Sequence, residues 1–410
     1  MEDITNKPTA DFIAAHLNDD VRTLALKVNR NGDIDIDFAL RQIAGWQTAK
    51  RKLPSWTEVK GLLFPPHLSM EQCSGEPAAE YKRRLAERLT QGNEATIGVD
   101  LTGGFGVDFS FMARSYHHAV YVERQEELCR IVNHNLPLLG VTNAKVVCDE
   151  AEHFISAMQH AHVVYLDPAR RDAHGARTYS ISDCTPDVMV LLPQLMAKSR
   201  HIIIKLSPML DWSKTISDLG SKVSEVHIVS TGGECRELLI VIDSHRQQED
   251  RPDIYCVADH EMVMISPEMA AMPLRIVSAP YQEWAGTYLY EPHTSLMKSG
   301  CWGAISSMYD MEMISANSHL FISAKPVASF PGRSFMIDEV STMNKRELKS
   351  MIGTMAKANI SVRNFPLTAK QLRLRLKMGD GGDSYLFATT TDDGRHVIMK
   401  CSKITRQDSY

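Results

Sequence analysis

The chain has 410 residues, 44% of them hydrophobic and 23% charged, with a formal net charge of -5. This is ordinary globular composition, long enough for two or three domains, and it excludes a uniformly basic protein that coats nucleic acid. Net charge averages over domains, however. Residues 341–410 hold 13 Lys and Arg against 6 Asp and Glu, a balance of +7, so the first 340 residues carry -12.

The eight cysteines (73, 129, 148, 184, 235, 256, 301 and 401) are scattered without a C-x-x-C pair. They suit small buried side chains in a reducing compartment better than a disulfide scaffold or a metal site, so no metal is expected. The opening MEDITNKPTADFIAAHLNDD is acidic and lacks the basic and apolar regions of a signal peptide. No stretch approaches the ~20 apolar residues of a membrane span. The expectation is a cytoplasmic protein with no membrane partner.

Residues 1–92 read as a helical N-terminal domain. Helical periods around Asp11–Leu17, Val21–Leu26 and Asp37–Ile43 are broken by polar turns, by Leu53-Pro54 and by Pro65-Pro66. Pro77 then suits the first turn of a further helix.

Residues 93–245 change character. Short apolar runs (Thr96–Leu101, His118–Glu123, Ala144–Cys148, Val163–Asp167, His201–Leu206) alternate with segments long enough for crossover helices. This predicts an α/β fold with a doubly wound, mostly parallel sheet. The runs Ser224–Ser230 and Leu238–Asp243, joined through Thr231-Gly232-Gly233, can only be antiparallel, which makes seven strands.

The chemistry concentrates in Ile97-Gly-Val-Asp-Leu-Thr-Gly-Gly-Phe-Gly-Val-Asp108, a strand, a glycine loop and a helix start. Glycines there let backbone N–H groups approach a ligand closely. Phe109 occupies the place of the third glycine in the dinucleotide fingerprint, which argues against a nicotinamide or flavin cofactor; the loop has no lysine, which excludes a P-loop. Four successive strands end in Asp100, Glu123, Asp149 and Asp167, at the edge where such sheets bind ligands. That acidic rim suits a nucleoside with a positive centre and opposes a triphosphate. Singly, each acid could equally be a strand-end or helix-capping residue.

With these motifs, residues 95–245 resemble the class I S-adenosylmethionine-dependent methyltransferases. The resemblance implies S-adenosyl-L-methionine as cofactor, with Asp100, Thr102, Gly103 and Gly106 around its methionine moiety. It further implies Glu123 on the ribose, Asp149 on the adenine, and Asp167-Pro168 bordering the methyl acceptor. Asp167-Pro168-Ala169-Arg170 is similar to the Asp-Pro-Pro-Tyr motif of methyltransferases acting on exocyclic amines of nucleobases. Here Arg170 stands where the stacking aromatic would be, and a guanidinium can stack on a base or bind phosphate. Arg171, His174 and Arg177 follow in a loop suited to an anionic polymer, or to ordinary solvated charge pairs. No cysteine follows the fifth strand, whose end is Ile204-Lys205-Leu206-Ser207-Pro208, and Cys184 is 17 residues past Asp167. Covalent activation of a pyrimidine C5 is therefore not expected; direct in-line displacement at the sulfonium methyl is. Lys205 is either part of that site or a structural ion-pair partner.

Residues 246–330 read as a linker followed by a small mixed α/β region, with a ferredoxin-like arrangement as one option. Residues 331–410 form a basic α/β module: strand 334–340, helix 344–358, strand 360–364, helix 368–377, then strands 385–389 and 396–401 around Asp393-Gly394. Lys370, Arg373, Arg375 and Lys377 pack four cations into eight residues, either a solvated helical face or a phosphate-binding one. Tyr288-Leu-Tyr-Glu-Pro292 and residues 334–401 look like the THUMP-like C-terminal domain that follows a methyltransferase core in bacterial proteins. That resemblance implies a structured RNA, tRNA or rRNA, as substrate. The expected reaction is methylation of a base nitrogen. A small-molecule or protein methyltransferase, or a non-catalytic RNA-binding protein with a degenerate pocket, are the alternatives.

Overall fold

The structure is a computed structural model that describes residues 5–27, 32–170, 181, 184–247 and 251–404. The chain divides into two compact units. Residues 1–226 and 237–251 make the first, and residues 227–236 and 252–410 the second.

The first unit is built on β1 (Ile97–Asp100), β2 (His118–Glu123), β3 (Ala144–Cys148), β4 (Ala161–Leu166), β7 (Ser199–Leu206) and the parts of β8 (Val223–Thr231) and β9 (Glu234–Asp243) that lie outside residues 227–236. They are seven of the nine strands of one sheet, in the order β3-β2-β1-β4-β7-β9-β8. The strands β3, β2, β1, β4 and β7 run parallel, and β9 pairs antiparallel to β7. A two-residue ladder, β5 (Ala169–Arg170) with β6 (Cys184–Thr185), stands outside the sheet. The central strands are apolar because helices cover both faces: Ile202–Ile204 and Leu238–Ile242 are fully buried. Between β1 and β4 the order of strands reverses, and in such sheets the crevice beyond their carboxyl ends receives ligands. The hairpin between β8 and β9 turns through Gly232 and Gly233, both at positive φ, which only glycine adopts without strain.

The N-terminal helices are α1 (Lys7–His16), α2 (Val21–Lys27), α3 (Ile36–Lys52), α4 (Pro54–Thr57), α5 (His67–Gln72) and α6 (Glu76–Thr90). Asn6 caps α1 and Asp35 caps α3, each accepting a backbone N–H of the first turn. The boundary at 92/93 marks a change of secondary structure, but the packing runs across it. Trp56, Leu62, Leu63 and Phe64 share a buried cluster with Phe105, Val107, Phe111 and Ile131. Asn135 locks the join: its side-chain amide accepts from Leu63 N (2.9 Å) and donates to Leu63 O (2.8 Å).

In the second unit, β10 (Asp253–Ala258) and β11 (Glu261–Ile265) form an antiparallel hairpin. A separate seven-stranded sheet has the order β13 (Glu312–Met313), β14 (Phe321–Ser323), β12 (Tyr288–Pro292), β15 (Gly332–Thr342), β18 (His396–Lys403), β17 (Gly379–Thr390), β16 (Lys357–Val362). The boundary drawn from the sequence at 330/331 thus falls inside one sheet, because β12 pairs with β15. Two helices, α15 (Lys345–Ile352) and α16 (Ala369–Leu376), pack through Leu348, Met351 and Leu372 into one cluster with Leu386, Ala388 and Ile398. The helix expected over 344–358 stops six residues early, since Gly353 turns the chain at φ +53°. Among the described residues no helix is long and apolar enough to cross a membrane.

Replacing Asn135 by Ala would strand a buried N–H and a buried carbonyl on Leu63. The loss should be about 2–4 kcal/mol, read from the unfolding midpoint in urea. A loss well under 1 kcal/mol would mean that the amide does not hold the helices to the sheet.

Candidate active site

The loop after β1 is shaped by its neighbours. Gly103 has no room for a side chain, since a Cβ would fall 2.0 Å from the Tyr121 ring. Gly104 and Gly106 take positive φ, and Gly106 opens helix α7 (Val107–Met112). The Tyr121 hydroxyl donates to Gly104 O at 2.5 Å. Glu123, at the end of β2, accepts Gly104 N through one carboxylate oxygen (3.0 Å) and Gln125 N through the other (2.9 Å). The loop and the acid of the next strand are therefore one hydrogen-bonded unit.

Thr102 ties the ends of β1 and β4 together. Its N–H donates to Asp100 Oδ1 (2.9 Å), and its hydroxyl oxygen accepts Asp167 N (2.6 Å). Asp100 is fully enclosed. Burial first, and then the nearby Asp108, Asp167 and Glu123, push its pKa well above the usual carboxylate range. Asp149 sits on the rim after β3, where its carboxylate takes Glu150 N (2.9 Å) and the His153 ring (2.7 Å).

Beneath Asp167 lies a cluster of charges that the sequence reading did not assemble. Lys82, on α6, has no solvent exposure; its ammonium donates to both oxygens of Glu237 (2.6 and 2.7 Å) and to Ser74 (3.1 Å). It also lies 3.1 Å from Asp108. Asp108 accepts the Tyr165 hydroxyl (2.8 Å) and the Ser74 hydroxyl (2.9 Å). Burial alone would raise the Asp108 pKa, but Lys82 and Lys205 override it, with those hydroxyls, and hold it at about 2. Lys205 stands 3.6 Å from Asp108 and donates to Asp167 at 2.5 Å. Burial opposes its charge, yet Asp167, Asp108 and Glu237 outweigh that and keep its pKa above the ordinary lysine value. The chain of contacts leaves 38% of the Asp167 side chain open to solvent.

Asp100, Thr102, Gly103, Gly106, Glu123, Asp149 and Asp167-Pro168 are thus gathered at the carboxyl ends of β1 to β4. Arg170 enters through its backbone, in the β5–β6 ladder; its side chain, and Arg171, His174 and Arg177, lie outside the described residues. Lys370, Arg373, Arg375 and Lys377 belong to the second unit. There Lys370, Arg375 and Lys377 are exposed, whereas Arg373 is spent on Asp380 at 2.5 Å. None of the eight cysteines is in a disulfide, and burial pushes the Cys73 thiol up to about 11 and Cys129 to about 12, away from nucleophilic character.

Lys82, Asp108, Tyr165 and Glu237 are the site residues that the sequence reading missed. A signal for Lys82 was present: Ala78, Ala79, Leu85 and Ala86 are buried at helical spacing around it, so a lysine interrupts an apolar stripe. A buried cation in such a stripe demands an acid.

A parallel sheet with one inserted antiparallel strand and a glycine loop after β1 is the architecture of class I methyltransferases. Two family models match the second unit: a THUMP domain-like model over residues 332–403 and a ferredoxin-like domain model over 288–331. No curated protein matches the chain. A crystal structure described as a candidate methyltransferase from Porphyromonas gingivalis W83 is 30% identical; the match covers 98% of this chain and 99% of that one, with a TM-score of 0.83. Weaker likenesses include an rRNA methylase from Streptococcus thermophilus (13% identity, 40% of this chain and 93% of that one, TM-score 0.31). Another is TrmK from M. capricolum bound to S-adenosyl-homocysteine (11%, 44% and 71%, TM-score 0.30). The chain belongs to the class I S-adenosylmethionine-dependent methyltransferases that carry a C-terminal THUMP-like domain.

Because burial pushes the Asp100 pKa up, Asp100→Asn should stabilise the ligand-free protein at neutral pH. The sign follows from linkage: the unfolded state ionises above about pH 4 while the folded state resists, so wild-type stability falls as pH rises from there. The variant's advantage in urea midpoint should therefore grow from pH 4 towards neutrality. An advantage independent of pH would mean that Asp100 is ionised in the fold.

Proposed function

We propose that this protein transfers a methyl group from S-adenosyl-L-methionine to a base nitrogen of a structured RNA, tRNA or rRNA. The observation that carries the reading is the convergence of Asp100, Glu123, Asp149 and Asp167 with the glycine loop at the carboxyl edge of one sheet. The donor set fits the cofactor: carboxylates suit hydroxyls, an amine and a cationic sulfur, and a nearby positive centre would favour the ionised form of buried Asp100. Glu123 would hold the ribose and Asp149 the adenine, with Asp100, Thr102, Gly103 and Gly106 around the methionine moiety. Bound there, the cofactor supplies an electrophilic methyl group.

The chain's own contribution is orientation. Asp167, fixed from below by Lys205 and through its N–H by Thr102, presents a partly open carboxyl group that can accept an amine N–H and turn the nitrogen lone pair towards the methyl. Pro168 follows directly and stiffens the backbone at this point. Support for RNA comes from the THUMP domain-like match and from the exposed Lys370, Arg375 and Lys377 of a module whose balance is +7.

The test is labelled-methyl transfer from cofactor to total RNA of a strain lacking the protein, beside its protein and small-molecule fractions. Label should enter RNA; label in another fraction would replace the RNA reading. Asp167→Asn should lower transfer by about 10²–10⁴-fold, with S-adenosyl-homocysteine affinity by calorimetry almost unchanged. Glu123→Ala should weaken that affinity instead. A separate measurement addresses the helix: changing Lys370, Arg375 and Lys377 to Gln should reduce the salt slope of RNA binding by about two to three. Arg373→Gln, already committed to Asp380, should change it least.

A further inference from the structure

The segment Tyr288-Leu-Tyr-Glu-Pro292 has no part in the transfer site, yet it places a buried acid between two arginines. Glu291 on β12 is only 5% exposed, and Arg333 is its cross-strand neighbour on β15. Arg333 Nε donates to Glu291 Oε2 at 2.7 Å, and Arg333 Nη2 binds the same oxygen. Arg363 donates to the other oxygen through Nε (3.2 Å) and Nη2 (2.9 Å).

Arg363 comes from the far edge. Three strands, β15, β18 and β17, separate β12 from β16 in the sheet. At ~4.8 Å per strand a flat sheet would keep them about 19 Å apart. The sheet must therefore curl, and it does so around Phe335 and Phe387, whose rings are 4.8 Å apart. The acid and both guanidiniums lie inside that curl.

The burial is one-sided. Glu291 is enclosed, while Arg333 and Arg363 remain 46% and 36% exposed. Each arginine spends its Nε–Nη2 edge on Glu291, and among the described residues the Nη1 of neither makes a hydrogen bond. Two cations against one acid leave a surplus of +1. Arg333 is also backed by the Phe335 and Phe387 rings, 5.5 and 5.8 Å from its guanidinium carbon, which restricts its rotamers. Stability is a weak account of the arrangement, because ion pairs of half-exposed arginines contribute little and apolar replacement even of a buried Arg–Glu–Arg set is often neutral or favourable. A guanidinium held by one edge, with the other free, is preorganised to take two oxygens of a phosphate.

We infer that Arg333 and Arg363, oriented by Glu291, form a phosphate-binding site for the backbone of the RNA; the choice of RNA as the source of that phosphate rests on the reading proposed above. The site is distinct in sequence from the cations of α16, and it needs no change of fold to receive its ligand.

The test uses the full chain labelled with nitrogen-15 in arginine. Nε–H signals of Arg333 and Arg363, assigned with Arg333→Lys and Arg363→Lys, are followed during titration with inorganic phosphate and with poly-glutamate. Both should shift saturably with phosphate and not with poly-glutamate. In parallel, tRNA and rRNA fractions are titrated by anisotropy over a salt series. The triple variant Glu291→Met, Arg333→Met, Arg363→Met leaves no unpaired buried charge and guards against misfolding, checked by circular dichroism. It should lower the salt slope by about one to two. Signals unmoved by phosphate, or a wild-type slope in a folded triple variant, would overturn the site. Phosphate shifts without binding of either RNA by the wild type would instead overturn the RNA assignment and leave an anion site of another kind.

Discussion

The first unit depends on the buried ammonium of Lys82. A lysine with no access to water is tolerable only if acids surround it, and Glu237 and Asp108 do so from β9 and α7. Through Asp108 the same cluster reaches Lys205, and through Lys205 it reaches Asp167 at the surface. Helix α6, the glycine-loop helix and three strands are therefore held in register by one set of charges. Removing any partner would leave another charge buried and uncompensated, so the set acts as a whole. The carboxylate at the transfer site is the outermost member of a structural network, and its position is inherited from the core.

A second kind of constraint operates at the cofactor side. There the loop is held by sterics and neutral hydrogen bonds: the Tyr121 ring fills the space beside Gly103, and its hydroxyl fastens Gly104. Glu123 is already satisfied by two backbone N–H groups, which fixes its carboxylate before any ligand arrives. The two halves of the site are thus stiffened by different means, charge under Asp167 and packing under Gly103. Thr102 stands between them, its backbone N–H on Asp100 and its hydroxyl oxygen on Asp167 N.

Much of this was legible in the sequence. Seven of the nine strands of the first sheet follow from alternating apolar runs and from the short Thr231-Gly232-Gly233 link, because a parallel sheet needs crossovers and a hairpin does not. The strand-end acids were legible because they recur at one place in the pattern. What escaped was interaction at a distance: Lys82 and Glu237 are 155 residues apart, and nothing local announces that they meet. Glu291 escaped for the same reason, since its partner Arg363 is brought to it only by the curl of the sheet. Arg373 misled in the opposite sense, reading as one of four equivalent cations although Asp380, seven residues on, neutralises it.

The separation of Lys82 from Glu237 has a consequence for the birth of the protein. On a ribosome adding ~5–20 residues per second, Glu237 appears about 10–30 s after Lys82. Throughout that interval the cation on the face that α6 must later bury has Asp108 within reach but lacks the acid that takes its two shortest bonds. That second acid arrives only with β9, next to β7 in the sheet. Order of synthesis and order of packing are coupled by one ion pair.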